Sequence, residues 1–334
     1  MVKIITMVEE LPISEREIKF NKKHILGIRY LTRNEIITIV ETAAAFTRVL
    51  ERRIKTTPTL KGKIVANLFY EPSTRTRISF ETAAKALSAN VINVSVSTSS
   101  VRKGESLLDT IKTLEAIGAD IIIIRHSSPG AANFVAEHFS GSVINAGDGA
   151  TEHPSQALLD LLTIYSKFGD FSKRKIVIVG DILNSRVARS HFWMALKLGW
   201  EISVVCPETF FPPQMKEAFP WVNHYVRIED AIEGADIVMA LRIQKERKSG
   251  LYYPSDFEYA SFWQIDKELL EYRDILLMHP GPVNRGVELS SDVVYSENSL
   301  ILDQVKAGVA LRMGLLYLVS KHLRGMSKDD KDNS

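Results

Sequence analysis

From Lys63 onward the chain alternates short aliphatic, β-branched runs with longer segments of helical periodicity, and this alternation restricts the fold more than any other feature. The pairs are 64–70 with 73–88, 91–96 with 106–117, 121–125 with 131–139, and 143–145 with 154–168. Strands interleaved with helices predict parallel pairing, because each helix carries the chain back to the start of the next strand. A second block follows Gly169, Asp170 and the Lys173-Arg174-Lys175 cluster: strand 176–179, helix 186–198, strand 202–205, then runs at 237–240 and 275–278. The expected fold class is therefore α/β, with two doubly wound parallel-sheet domains. The 334 residues suffice for two such units, each burying its own core.

Helices are also expected outside the alternation. Residues 34–50 carry Ile36, Ile37, Val40, Ala44 and Phe46 at near-helical spacing, and 302–323 form a long apolar-periodic segment. Residues 1–23 are a mixed, charged lead-in read as an arm, and 327–334 are a charged tail with little reason to order.

Composition removes several function classes. Forty-two Lys and Arg against 40 Asp and Glu leave a formal charge of +2, so no basic surplus argues for nucleic acid. Cys206 is the single cysteine, which excludes an internal disulfide, and without Cys/His spacing there is no case for a metal. Apolar runs such as 237–241 and 315–319 fall far short of the roughly 20 residues a membrane helix needs. Glu9, Glu10 and Glu15 stand where an export leader would be basic and then apolar. The expected setting is the cytoplasm, without membrane contact.

Open parallel sheets bind ligands at the carboxyl ends of their strands, where loops lead into helix N-termini. The first such loop reads Glu71-Pro72-Ser73-Thr74-Arg75-Thr76-Arg77. Hydroxyls and a guanidinium there join free backbone donors and about half a unit of positive helix charge, a cradle for an oxyanion such as phosphate. Simple N-capping by Ser73 or Thr74 is the competing reading. It leaves Arg75 unexplained, since a cation in a first turn opposes the dipole. The second loop, 97–106, is small, polar and cationic, with the length of a flap or of a solvated turn. The third strand delivers Arg125-His126 at its tip, and the fourth leads to His153-Pro154-Ser155-Gln156 at a helix start.

In the second block Gly180 stands alone where a dinucleotide fold needs three glycines, which argues against a nicotinamide cofactor. Arg186 opens the following helix. Arg242 and Gln244 lie two apart on one side of an extended segment, a fork and an amide suited to a carboxylate. His279-Pro280-Gly281-Pro282 ends another strand as either a tight turn or a carbonyl platform.

Together these residues resemble the aspartate/ornithine carbamoyltransferase family, over about residues 34–323. Ser73-Thr74-Arg75-Thr76-Arg77 reproduces that family's carbamoyl-phosphate signature, His153-Pro154-Ser155-Gln156 its second motif, and Lys103-Gly104-Glu105 its flap. The ornithine branch carries a His-Cys-Leu-Pro segment. Here the only cysteine lies on a different strand, and Arg242-x-Gln244-x-x-Arg247 with His279-Pro280-Gly281-Pro282 resembles the aspartate branch.

The resemblance implies a carbamoyl-phosphate domain at 1–155 plus 303–324, an aspartate domain at 156–302, and a C-terminal helix returning to the first. It implies a homotrimer with active sites shared between subunits, and no cofactor. Ser73, Thr74, Arg75 and Thr76 would hold phosphate, with Ser99 and Lys103 arriving from the adjacent subunit. Arg125, His153 and Gln156 would hold the carbamoyl group. Arg186, Arg242, Gln244, Lys103 and the backbone at Pro280 and Gly281 would hold aspartate. Thr76, Arg125 and His153, with Arg75, are the implied catalytic groups. The implied reaction is carbamoyl transfer to aspartate in pyrimidine biosynthesis. Another amine acceptor such as ornithine, or an idle scaffold homologue, are the alternatives. A regulatory chain or a dihydroorotase as partner stays open.

Overall fold

A computed structural model describes residues 20–95, 105–244, 255–271 and 273–329. Helix α1 (Arg33–Glu51) starts at a capping box in which Thr32 and Glu35 satisfy each other's backbone donors. Its buried stripe is Ile36, Ile39, Val40, Ala43, Phe46 and Val49. Ile37 and Ala44, expected on that stripe, lie at its margin, because Ile39 and Ala43 keep the better 3.6-residue spacing.

The first sheet contains β1 (Ile64–Phe69), β2 (Asn90–Ser95), β3 (Ile121–His126) and β4 (Ser142–Asp148), in the order β2-β1-β3-β4. All pairs are parallel. Crossovers run through α2 (Thr74–Ala86), α3 (Leu107–Ala116) and α4 (Ala131–His138). Ile121, Ile122, Ile123 and Ile124 are fully buried, as a strand covered on both faces requires. Helix α5 (Pro154–Phe168) then leads into the second sheet.

That sheet has β5 (Lys175–Gly180), β6 (Glu201–Val205), β7 (Val222–Tyr225), β8 (Ile237–Leu241) and β9 (Leu276–Met278), parallel in the order β7-β6-β5-β8-β9. Helices α6 (Arg186–Leu198), α7 (Pro213–Ala218), α8 (Ile228–Ile232), α9 (Asp256–Trp263) and α10 (Lys267–Leu270) complete the block. Strand β7 was not expected. It is a short edge strand, and only its first residue, Val222, is buried.

Helix α11 (Ile301–Asp329) returns across the first unit and packs on α1, α2 and α5. It continues through residues 327–329, where a disordered tail was expected. In both sheets the strand order reverses beside the first strand, between β1 and β3 and between β5 and β8. Crevices form at such reversals, and the two sheets turn them toward one another.

Glu152 ties the seam between the units. It is 1% exposed and accepts from the Ile28 backbone N–H at 2.7 Å and from Ser190 Oγ at 3.1 Å. Burial raises its pKa to about 7. Between about pH 4.5 and 7 the folded chain therefore holds a proton that the unfolded chain has lost, so stability falls as pH rises through that window. Denaturant unfolding should show a loss of roughly 3 kcal/mol across it, at about 1.4 kcal/mol per unit, and Glu152→Gln should flatten that slope.

Candidate active site

The cleft between the two sheets encloses about 770 Å³. Twelve of the expected site residues line it: Ser73, Thr74, Arg75, Thr76, Arg125, His153, Gln156, Arg186, Arg242, Gln244, Pro280 and Gly281. Ser99 and Lys103, like Arg247, lie outside the described residues. His126 does not line the cleft; its ring nitrogen Nδ1 accepts from the Ser128 backbone.

The start of α2 distinguishes a cap from a cradle. Ser73 occupies the N-cap position but makes no capping hydrogen bond; its hydroxyl donates instead to Thr76 Oγ1 at 2.9 Å. The first backbone donors of the helix thus point into the cleft without a side-chain acceptor, which suits an incoming oxyanion. At α6, by contrast, the Ser185 hydroxyl caps the Ala188 backbone. The simple capping reading fails at α2.

Arg75 stands over this cradle. Its pKa is lowered, first by burial and then by the like charge of Arg242. Among the described residues it has no acidic partner, so two guanidinium groups from different units face one volume with an anion as the natural bridge. The turn at Gly281 presses against it. Gly281 has φ +68°, and a Cβ there would lie 3.0 Å from Arg75 Cζ. Only glycine combines that backbone conformation with that approach.

Arg125, at the tip of β3, donates to Glu71 Oε1 at 2.9 Å and to the Ala146 carbonyl at 3.2 Å. Arg186, the first residue of α6, donates to the same Glu71 oxygen. One carboxylate therefore gathers arginines from both units. The sequence reading gave Glu71 no role, although it opens the signature loop.

His153 is 4% exposed, and its pKa is held well below the usual imidazole value. Burial is the largest cause, followed by the charges of Arg125, Arg186 and Arg312. The ring is therefore neutral. Arg125 Nη1, 3.5 Å from Nε2, can only donate, so Nε2 is the acceptor there and the single N–H lies on Nδ1, 3.3 Å from Ser155 Oγ. Of the two expected charge states of the ring, neutral and cationic, the neutral one holds here.

Behind the His279-Pro280-Gly281 turn, His279 Nδ1 accepts from the Gly281 backbone at 2.7 Å. That assigns the other ring N–H to Glu288 Oε1, 3.2 Å away. Arg312 on α11 also lines the cleft, donating to Ser79 Oγ at 2.9 Å; burial lowers its pKa to about 10. Gln244 is fixed through its backbone N–H to Asp181 Oδ2 and through its amide to the Asn184 carbonyl, each at 3.2 Å. Among the described residues five arginines and one carboxylate line the cleft, a surplus of four positive charges in a nearly neutral chain.

Two parallel sheets meeting at an arginine-rich cleft define an α/β transferase site for small polyanions. Comparison with known proteins gives the family. The carbamoyl-phosphate-binding domain of aspartate/ornithine carbamoyltransferases matches residues 23–166, and the Asp/Orn-binding domain of the same proteins matches 172–319. The chain belongs to the aspartate/ornithine carbamoyltransferase family.

Among its relatives is the aspartate carbamoyltransferase catalytic subunit of Syntrophotalea carbinolica, 53% identical over 90% of this chain and 96% of that protein. The catalytic subunit of M. jannaschii aspartate transcarbamoylase superposes with a TM-score of 0.80 at 34% identity, covering 91% and 100% of the two chains. Aspartate transcarbamoylase from Trypanosoma cruzi, in complex with carbamoyl phosphate and aspartate, gives 0.81 at 28% identity, covering 90% and 98%.

Replacing Gly281 by valine should displace Arg75 and weaken binding of inorganic phosphate by at least about tenfold, read by titration calorimetry. Gly62→Val is the control: φ there is +84° with nothing within 4 Å, so it should lower stability and leave phosphate affinity unchanged.

Proposed function

We infer that this chain transfers the carbamoyl group of carbamoyl phosphate to the α-amine of L-aspartate, giving N-carbamoyl-L-aspartate and phosphate, a reaction of pyrimidine biosynthesis. The carrying observation is the convergence of Arg75, Arg125, Arg186 and Arg242 on one cleft beside an uncapped helix start. The two substrates bring about four negative charges, which matches the surplus of positive charge in the cleft. The only carboxylate lining it among the described residues is Glu71, held by Arg125 and Arg186, so a cationic acceptor such as ornithine meets no uncommitted acidic counterpart among them. A scaffold without chemistry would not need this set of groups.

In this reading Ser73, Thr74, Arg75 and Thr76 hold the phosphate, and Arg186, Arg242, Gln244 and the backbone at Pro280 and Gly281 hold aspartate. Ser99 and Lys103 come from a neighbouring subunit's flap; the working unit in this reading is a homotrimer, and its setting the cytoplasm. The carbamoyl-phosphate domain is 1–155 with 303–324, and the aspartate domain 156–302. A regulatory chain or dihydroorotase would attach outside the cleft.

The amine nitrogen bonds to the carbonyl carbon while the bond from that carbon to the phosphate oxygen breaks. Negative charge grows on the carbonyl oxygen, where Thr76, Arg125 and His153 would be the donors; each such donor contributes about 2.7 to 4 kcal/mol of barrier lowering. The departing phosphate takes the amine proton, so no side-chain base is required. Holding two anions in near-attack geometry supplies up to roughly 7 to 11 kcal/mol more.

Phosphate release from carbamoyl phosphate, assayed with a panel of amines, should be selective for aspartate; equal or faster release with ornithine would overturn the reading. Arg75→Ala should lower turnover by at least about a hundredfold with the unfolding midpoint unchanged. Mixed trimers of Arg75→Ala and Lys103→Ala subunits should regain activity by assembling an intact site, and verified mixed trimers that stay inactive would count against site sharing.

A further inference from the structure

Asp160 lies on α5, one turn beyond Gln156, and does not line the cleft. It is fully buried. Its Oδ1 accepts from Gln156 Nε2 at 2.9 Å and from Gln304 Nε2 at 2.7 Å. Its Oδ2 faces His191 Nε2 on α6 at 3.3 Å, and its charge also supports the buried Arg312 cation on α11. With both amide NH₂ groups already on Oδ1, that oxygen serves as an acceptor and offers neither glutamine a donor.

That restriction has a directional effect. Amide side chains carry a donor end and an acceptor end, and the neighbour that can only accept decides which end turns toward it. Both glutamines must give Asp160 their NH₂ groups. Gln304 is then left with Oε1 free to accept the His279 backbone N–H, as observed at 2.9 Å, which fixes the Pro280-Gly281 wall of the cleft. Gln156 is left with Oε1 toward the cleft that it lines.

We propose that Asp160 is a specificity-determining positioning residue: by fixing the amide of Gln156 it presents an acceptor that selects a donor bearing NH₂ beside its carbonyl over one bearing CH₃. The proposal rests on the carbamoyl-phosphate reading above. Carbamoyl phosphate and acetyl phosphate differ at that one group, so their binding ratio reports the lock, while inorganic phosphate reports the cradle alone.

Equilibrium binding of the three compounds to the purified full-length chain tests this. The wild type should bind carbamoyl phosphate at least about tenfold more tightly than acetyl phosphate, the contribution of one well-placed hydrogen bond. Asp160→Ala should cut that ratio about tenfold, while any loosening of the Pro280-Gly281 wall through Gln304 should weaken inorganic phosphate and acetyl phosphate alike and less than carbamoyl phosphate. Asp160→Asn keeps one acceptor oxygen for the two glutamines, with its NH₂ toward His191, and should keep the ratio. A wild-type ratio near one, or equal weakening of all three ligands by Asp160→Ala, would overturn the proposal. Failure of the wild type to bind any of them would instead overturn the functional reading. If Asp160→Ala does not fold, NMR of the wild type decides: the Gln156 side-chain NH₂, assigned by its loss in Gln156→Glu, should exchange slowly with water, and rapid exchange would sink the lock.

Discussion

Guanidinium groups repel one another, and this fold holds several of them around one small volume. Arg75 and Arg125 come from the first sheet, Arg186 and Arg242 from the second, and each sits at or just beyond the carboxyl end of a strand. Parallel topology makes this arrangement stable, because every strand of a sheet ends on the same side and every end is anchored in a buried ladder. Glu71 offsets part of the repulsion by accepting from both Arg125 and Arg186. What remains is a standing attraction for anions that requires no charged surface elsewhere.

The neutral His153 belongs to the same electrostatic arrangement. The cations around it, together with burial, keep a second proton off the ring, so an imidazole that would titrate near neutrality serves as a fixed dipole. The close approach of Gly281 to Arg75 and the shared Glu71 oxygen show the same logic in packing terms: neighbouring backbone and side chains leave each cation little choice of position.

Much of this was legible in the sequence because parallel sheets write themselves as a period. The strand and helix alternation marked the strand ends, and the polar groups at those ends marked the cleft. Strand β7 was not legible: Val-Asn-His-Tyr at an edge needs little burial and shows no aliphatic run. The face of α1 was misplaced by a residue or so because apolar residues there are nearly contiguous. Glu71 and Asp160 escaped for a different reason. The role of each depends on partners more than a hundred positions away, Arg186 for one and Gln304 for the other, and local pattern carries no trace of such meetings. Asp160 left one local hint, its four-residue spacing from Gln156 on α5.

The return of α11 has a bearing on how the molecule is made. The helix that covers α1, α2 and α5 is the last of the described elements to leave the ribosome, so the apolar flank of the first sheet stays bare until all the others have emerged. Everything from β5 to β9 must emerge, and can collapse, before that flank is sealed. The half that reads first is thus finished last, and a nascent chain stalled near residue 300 would display a sticky surface to chaperones while its other half was already folded.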